Sequence, residues 1–225
     1  MDIIDPQIQA YAESYSSPED ALLKEIAEYT IQHHSAYHML SGHLQGQLLE
    51  MVSRMIQPRR ILEIGTFTGY SALCLAKGLV ADGQLHTIEL READASIAKN
   101  FFNRSPLSDR IILHTGNALE IIPKLHIEMQ DEPCHTGLDP VWDLVFIDAD
   151  KVSYIEYFNL VLPLVRQNGF ILADNVFFHG QVLDNETKNK SATAIRSFNE
   201  YVRERKDVDK MIMTVRDGLY LIRKI

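Results

Sequence analysis

From residue 60 onward, short apolar runs alternate with longer amphipathic stretches. The runs are Arg60–Ile64, Gln84–Leu90, Arg110–His114, Trp142–Ile147 and Phe170–Ala173. Their length and spacing predict buried strands, and the stretches between them, roughly 69–80, 92–104, 117–125, 151–164 and 190–206, predict helices. Such alternation implies a parallel sheet covered by helices and joined by right-handed crossovers. The tail breaks the rhythm: Met211–Arg216 and Leu219–Lys224 read as strands separated by Asp217-Gly218, a two-residue hairpin signal, so an antiparallel edge is expected.

Upstream, residues 19–57 carry helical periodicity, with a start at Ser17-Pro-Glu-Asp and apolar positions Leu22, Leu23, Ile26, Ala27, Leu48, Leu49, Val52 and Met55 before Pro58. The reading is one domain, with a helical cap over 1–58 and an α/β core over 59–225. Two stretches are expected to be long loops: His126–Val141, a surface excursion, and Val176–Asn189, which follows a carboxylate pair and reads as an active-site flap.

Composition narrows the function. The 225 residues are 46% apolar and carry a net charge of −9, which argues against a nucleic-acid partner, because phosphate binding rests on clustered Lys and Arg. No run has the length of a membrane span and the acidic N-terminal segment lacks the layout of a signal peptide, so a cytoplasmic protein away from membranes is expected. Two cysteines in unlike contexts, Cys74 and Cys134, suit a reducing compartment, with Cys74 expected in the core.

The densest chemical signal is Ile61-Leu-Glu63-Ile-Gly65-Thr-Phe-Thr-Gly69-Tyr70-Ser71, a strand running through a glycine turn into a helix. Twenty residues past Gly69, Glu89 closes the next strand, placed to accept ribose hydroxyls; strand, turn, helix and acid together read as a nucleoside site. A dinucleotide would set its pyrophosphate over G-x-G-x-x-G, whereas this turn is G-x-x-x-G behind Glu63, whose charge opposes phosphate. S-adenosylmethionine, which carries an ammonium and a sulfonium, fits that charge. The bland alternative for Glu63 is a solvated strand-end residue.

Two later strand ends, Asp148-Ala-Asp150-Lys151 and Asp174-Asn175, fall side by side on the sheet's carboxyl edge if their strands are neighbours. Close oxygen ligands without Cys or His suit a hard cation such as Mg²⁺, Mn²⁺ or Ca²⁺; the bland reading is helix capping. Lys151, one helical step past Asp148, is a candidate general base or electrostatic partner for a departing proton, and the competing reading is a surface lysine.

These residues resemble the class I, metal-dependent O-methyltransferases that include the catechol and caffeoyl-coenzyme A enzymes. The resemblance runs from Met39-Leu-Ser-Gly through E-I-G-T-x-T-G-Y-S, the Glu89 strand, Gly116-Asn-Ala, F-I-D-A-D-K, A-D-N and A-I-R-x-F-N to the closing D-G-L. It implies a doubly wound, seven-stranded, mostly parallel sheet of the Rossmann-like methyltransferase kind, with an antiparallel C-terminal hairpin and a helical N-terminal cap. It also implies cofactor contacts from Ser41, Glu63, Gly65, Thr66, Ser71, Glu89, Ala118, Asp148 and Asp150, metal ligands Asp148, Asp174 and Asn175, and catalysis by Lys151 with Asp148. Met39, His179 and Arg196 fall where relatives place substrate-facing side chains. His179 departs from the asparagine of some plant relatives, and Asn117 stands where an acid often sits beside adenine. The implied reaction is methylation of a small aromatic vicinal diol by S-adenosylmethionine on a divalent metal, in a homodimer.

Phe177, Phe178 and Tyr37 are candidates for an apolar wall beside the acceptor ring, with core packing as the plain alternative. His33, His34, His38 and His43 crowd one segment, and His34 and His38 have helical i,i+4 spacing, but without Cys or H-E-x-x-H they read as lining of the cap and not as a zinc site. The competing functions are a metal-independent methyltransferase on another acceptor, an NAD-dependent dehydrogenase and a non-catalytic nucleoside-binding module.

Overall fold

The computed structural model describes residues 4–130 and 142–225. Its strands form a seven-stranded sheet in the order β3-β2-β1-β4-β5-β7-β6: β1 Arg60–Ile64, β2 Gln84–Glu89, β3 Ile111–Thr115, β4 Trp142–Ile147, β5 Val165–Asp174, β6 Val208–Met213 and β7 Leu219–Lys224. The helices are α1 Pro6–Ser14, α2 Ala21–His33, α3 His43–Ile56, α4 Tyr70–Ala76, α5 Glu92–Phe102, α6 Ala118–Gln130, α7 Tyr154–Val161 and α8 Lys190–Glu204. The chain divides into two compact units, residues 5–116 and residues 117–225. No described helix is long and apolar enough to cross a membrane.

In residues 5–116, β1, β2 and β3 pair in parallel. Strands buried on both faces must be apolar throughout, which is why Ile61, Leu62, Ile64, Leu85 and Ile88 are buried. Within the expected 1–58 cap, α1 precedes the residues 19–57 that carry the helical periodicity. The helix expected from Ser17 starts instead after Asp20, whose carboxylate accepts the Leu23 N–H at 2.9 Å. It ends at His34, whose ψ of 125° is extended, so His34 and His38 do not share a helix despite their i,i+4 spacing. Lys77 holds the cap to α4 by reaching Asp20 and Glu50, each at 2.8 Å. Cys74 is buried, as expected; Cys134 lies outside the described residues.

In residues 117–225, β4 and β5 are parallel and β7 runs antiparallel between β5 and β6. β5 starts at Val165, five residues before the expected Phe170, because it carries an irregularity: Trp142 pairs with Val165 but Leu144 with Phe170, and Asn168 takes φ +62°. The closing hairpin is not a two-residue turn. Met213 pairs with Leu219, leaving residues 214–218 as the loop, with Arg216 at φ +47° and Gly218 at φ +86°. The expected 126–141 loop begins later, since α6 continues past Pro123 to Gln130; residues 131–141 lie outside the described residues. The expected flap contains a 3₁₀ turn, Gln181–Leu183.

Candidate functional site

Two polar clusters stand at strand ends, one in each unit. In the first, Gly65 at φ +102° and Gly69 at φ +93° turn the chain from β1 into α4. A side chain at Gly69 would also meet the Phe102 ring, 2.6 Å from an ideal Cβ. Glu63 is fully buried, which rules out the solvated strand-end reading. Its two oxygens accept hydrogen bonds from the Ser71 hydroxyl at 2.6 Å and the Thr87 hydroxyl at 2.5 Å. The Thr66 hydroxyl lies 2.5 Å from that of Thr87. The site residues Glu63, Thr66 and Ser71 are therefore joined into one network through Thr87, which the sequence reading did not single out.

Glu89, also buried, is fixed by two backbone donors: Phe67 N–H at 2.7 Å and Arg91 N–H at 3.0 Å. A carboxylate has about four acceptor positions, so it keeps capacity for further hydroxyls. Ser41 is buried and Met39 exposed, on the turn between α2 and α3.

The second cluster lies at the ends of β4 and β5. The pair Ile147↔Ala173 is in register, so the next residues along the chain, Asp148 just past β4 and Asp174 at the end of β5, fall side by side. Lys151 donates to Asp148 Oδ1 at 2.8 Å and to the Tyr154 hydroxyl at 2.7 Å. The Tyr154 hydroxyl lies 3.2 Å from the Ile147 carbonyl and 3.0 Å from the Asp174 carbonyl. One fully buried tyrosine thus ties both strand ends to the lysine. Burial by itself would lower the Lys151 ammonium; Asp148, Tyr154 and Asp174 outweigh it and hold Lys151 above the ordinary lysine value. Burial pushes the Tyr154 hydroxyl up. In this geometry Lys151 is tied to Asp148 and Tyr154 and is not the surface lysine of the plain reading.

Asp174 is buried and accepts its neighbour's N–H, Asn175, at 2.8 Å. Asn175 takes φ +57° and turns the chain away from β5. Helix capping falls to Asp150, which accepts from the Ser153 N–H at 3.2 Å, from its hydroxyl at 2.6 Å and from Tyr157 at 2.5 Å. Among the described residues no group of three or more His, Cys, Asp or Glu side chains is gathered to hold a metal. Two carboxylates and an amide fall below that count, but Asp148 and Asp174 supply the hard oxygen donors that a divalent cation takes.

The remaining candidates stand on other segments of the chain. Ala118 is buried as the first residue of α6, and Asn117 caps that helix by accepting the Leu119 N–H at 3.0 Å. Arg196 is engaged with the flap, donating to the Asp184 carbonyl at 2.9 Å. His179 is exposed, and Asp217 in the closing turn accepts its backbone N–H at 2.6 Å. Phe177 packs on Gly218, whose ideal Cβ would lie 2.6 Å from the ring, and its N–H donates to the Asp217 carbonyl at 2.9 Å. Phe177 therefore anchors the flap to the hairpin; Tyr37 is exposed.

A parallel sheet with a glycine turn after its first strand and a buried acid ending its second is the frame of a nucleoside-binding α/β enzyme. The chain belongs to the O-methyltransferase family, whose model matches residues 13–225. It is 36% identical over 169 residues to the catechol O-methyltransferase of Niastella koreensis, a match spanning 75% of this chain and 72% of that protein. The O-methyltransferase TomG of Streptomyces achromogenes, which is involved in tomaymycin synthesis and was solved with SAM, superposes with a TM-score of 0.85 at 32% identity, covering 97% of this chain and 96% of that one. The Bacillus cereus O-methyltransferase solved with SAH gives a TM-score of 0.82 at 29% identity, covering 97% of each chain. A dehydrogenase reading is thereby excluded.

Proposed function

We propose that this O-methyltransferase transfers the methyl group of S-adenosylmethionine to a hydroxyl of a small, catechol-like aromatic diol, with a divalent cation held by Asp148, Asp174 and Asn175. The observation that carries the reading is the register of β4 and β5, which sets Asp148 and Asp174 together, with the Lys151 ammonium bonded to Asp148. The donor supplies an electrophilic methyl; Glu63, with Ser41, Thr66, Gly65 and Ser71, is suited to its cationic amino-acid end, and Glu89 to its ribose. A bound Mg²⁺, Mn²⁺ or Ca²⁺ would lower the pKa of the acceptor hydroxyl and orient it.

The protein's own residues do the rest. Lys151 places a fixed positive charge where negative charge gathers on the attacking oxygen, a form of electrostatic preorganisation. Tyr154 keeps that ammonium from rotating away. Met39 and His179 are assigned to the acceptor's ring, and Arg196 acts by holding the flap. Alignment of acceptor with donor is worth on the order of 7–11 kcal/mol in reactions of this type.

A second reading rests on one contact. Lys151 already neutralises Asp148 at 2.8 Å, which favours a transferase that needs no metal. Labelled methyl transfer to a panel of catechols, run with Mg²⁺, with chelator and with Asp174→Ala, decides between them: the proposal expects turnover only in the first condition, and equal turnover in all three removes the metal.

A further inference from the structure

Phe67, in the middle of the glycine turn, adopts φ +50°, a left-handed conformation that a bulky side chain keeps only when its surroundings over-determine it. A closed circuit of side chains supplies that constraint. The Phe67 N–H donates to one Glu89 oxygen at 2.7 Å. The other Glu89 oxygen accepts the Arg91 N–H at 3.0 Å and lies 3.5 Å from Arg91 Nε. The Arg91 guanidinium passes over the Phe67 ring, 5.7 Å from its centroid.

Asp94 completes the circuit. One of its oxygens lies 2.7 Å from Arg91 Nη2, in ion-pair rather than hydrogen-bond geometry, and the other is 3.0 Å from His34 Nε2. His34 Nδ1 accepts the Ala36 N–H at 3.0 Å, which leaves Nε2 to carry the proton given to Asp94. The His34 ring then meets Phe67 edge-on, with centroids 4.6 Å apart and planes at 86°. Asp94 is 4% exposed, so its carboxylate meets both partners away from solvent, although the Arg91 side chain is half-exposed.

We propose that His34, Asp94 and Arg91 are positioning residues for the methyl donor: they hold the Phe67 turn and aim the Glu89 carboxylate, and so make nucleoside affinity depend on where the helical cap ends. The inference rests on Glu89 being the acid that receives the donor's ribose. The circuit also reaches from the end of α2, three residues before the Tyr37–Met39 turn that leads to Ser41, to the end of β2. A change at its cap end, which touches no proposed donor contact, therefore reaches Glu89 through Asp94 and Arg91.

The test is calorimetric titration with S-adenosylhomocysteine of the wild type, His34→Ala, Asp94→Ala and Asp94→Asn, with thermal unfolding of each ligand-free protein and steady-state kinetics alongside. Loss of one buried, charge-assisted contact is expected to raise Kd about ten-fold in the two alanine variants. The KM for the donor should rise by the same factor, while the KM for the acceptor and kcat at saturating donor stay within about two-fold, a split that general loosening does not produce. If Asp94→Ala fails to fold, the isosteric Asp94→Asn carries the same expectation at about three-fold, because it keeps the His34 contact and loses the charge on Arg91. Folded variants with unchanged Kd, or with donor and acceptor KM raised together, overturn the proposal. A wild type that does not bind S-adenosylhomocysteine would instead remove the reading of Glu89 and the donor, and this inference with it.

Discussion

Tyr154 accepts a hydrogen bond from the Lys151 ammonium at 2.7 Å while its own hydroxyl faces the carbonyls of Ile147 and Asp174. The tyrosine is the brace of the acidic strand ends, and removing its oxygen strips a partner from three groups. Tyr154→Phe is expected to cost about 1–3 kcal/mol in urea unfolding, the usual penalty for leaving buried polar groups unsatisfied. It should lower kcat by about ten-fold. Lys151→Met, which removes the charge itself, should lower kcat by about 10²–10³.

Glu63 is a buried carboxylate held by two hydroxyls. In Glu63→Gln the amide nitrogen faces a hydroxyl previously bound to oxygen, but the buried charge is gone, and these effects oppose each other. Stability is therefore expected to stay within about 1 kcal/mol of the wild type. The KM for the methyl donor should rise at least about ten-fold, because the acid's partner in the reading above is the donor's ammonium. Donor-saturation kinetics and a melting curve check both halves.

His86 and His114 stack with ring centroids 5.3 Å apart and share a hydrogen bond of 3.1 Å. Burial, then the neighbouring His114 and Arg60, push His86 down to about 3. The unfolded chain binds this proton near pH 6.5 and the folded chain does not, so the contribution is fully present above about pH 6.5 and is lost as pH falls toward 3. Between pH 6.5 and 5.5 the wild type should lose about 1 kcal/mol more stability than His86→Gln, read by urea unfolding at each pH. Equal losses would contradict the assignment.

Helix α1 buries none of its residues and leaves Ile8 and Tyr11 exposed on one helical face, with exposed Tyr15 just past its end packed on Tyr11. We propose that this face is self-associating. Tyr11→Glu is expected to shift the mass measured by light scattering from dimer to monomer without changing the melting temperature measured in dilute solution; a wild-type monomer would remove the proposal.

How much of this was legible in the sequence follows from the range of each interaction. β1 and β4 are legible to the residue because short runs dense in Ile, Leu, Val and Phe mark buried parallel strands. β5 was read short because its first half, Arg166-Gln167-Asn168, is polar and irregular, and the α2 start was misplaced because both Ser17 and Asp20 are capping residues. Glu63 carries a local signature as an acid beside a glycine turn, and Asp148 and Asp174 carry one as acids that follow apolar strand runs. Tyr154 carried a weak signal, three residues past Lys151. The His34–Asp94 pair carried none, since its partners are 60 residues apart in the chain.

The central claim is that Asp148, Asp174 and Asn175 form a cation site. Titration of the protein with Mn²⁺, following the free-ion electron paramagnetic resonance signal, tests it without reference to turnover. The account predicts one saturable site in the wild type that is lost in Asp174→Ala and weakened in Asn175→Ala. Equal Mn²⁺ binding by the wild type and Asp174→Ala, or no binding by the wild type, would contradict it.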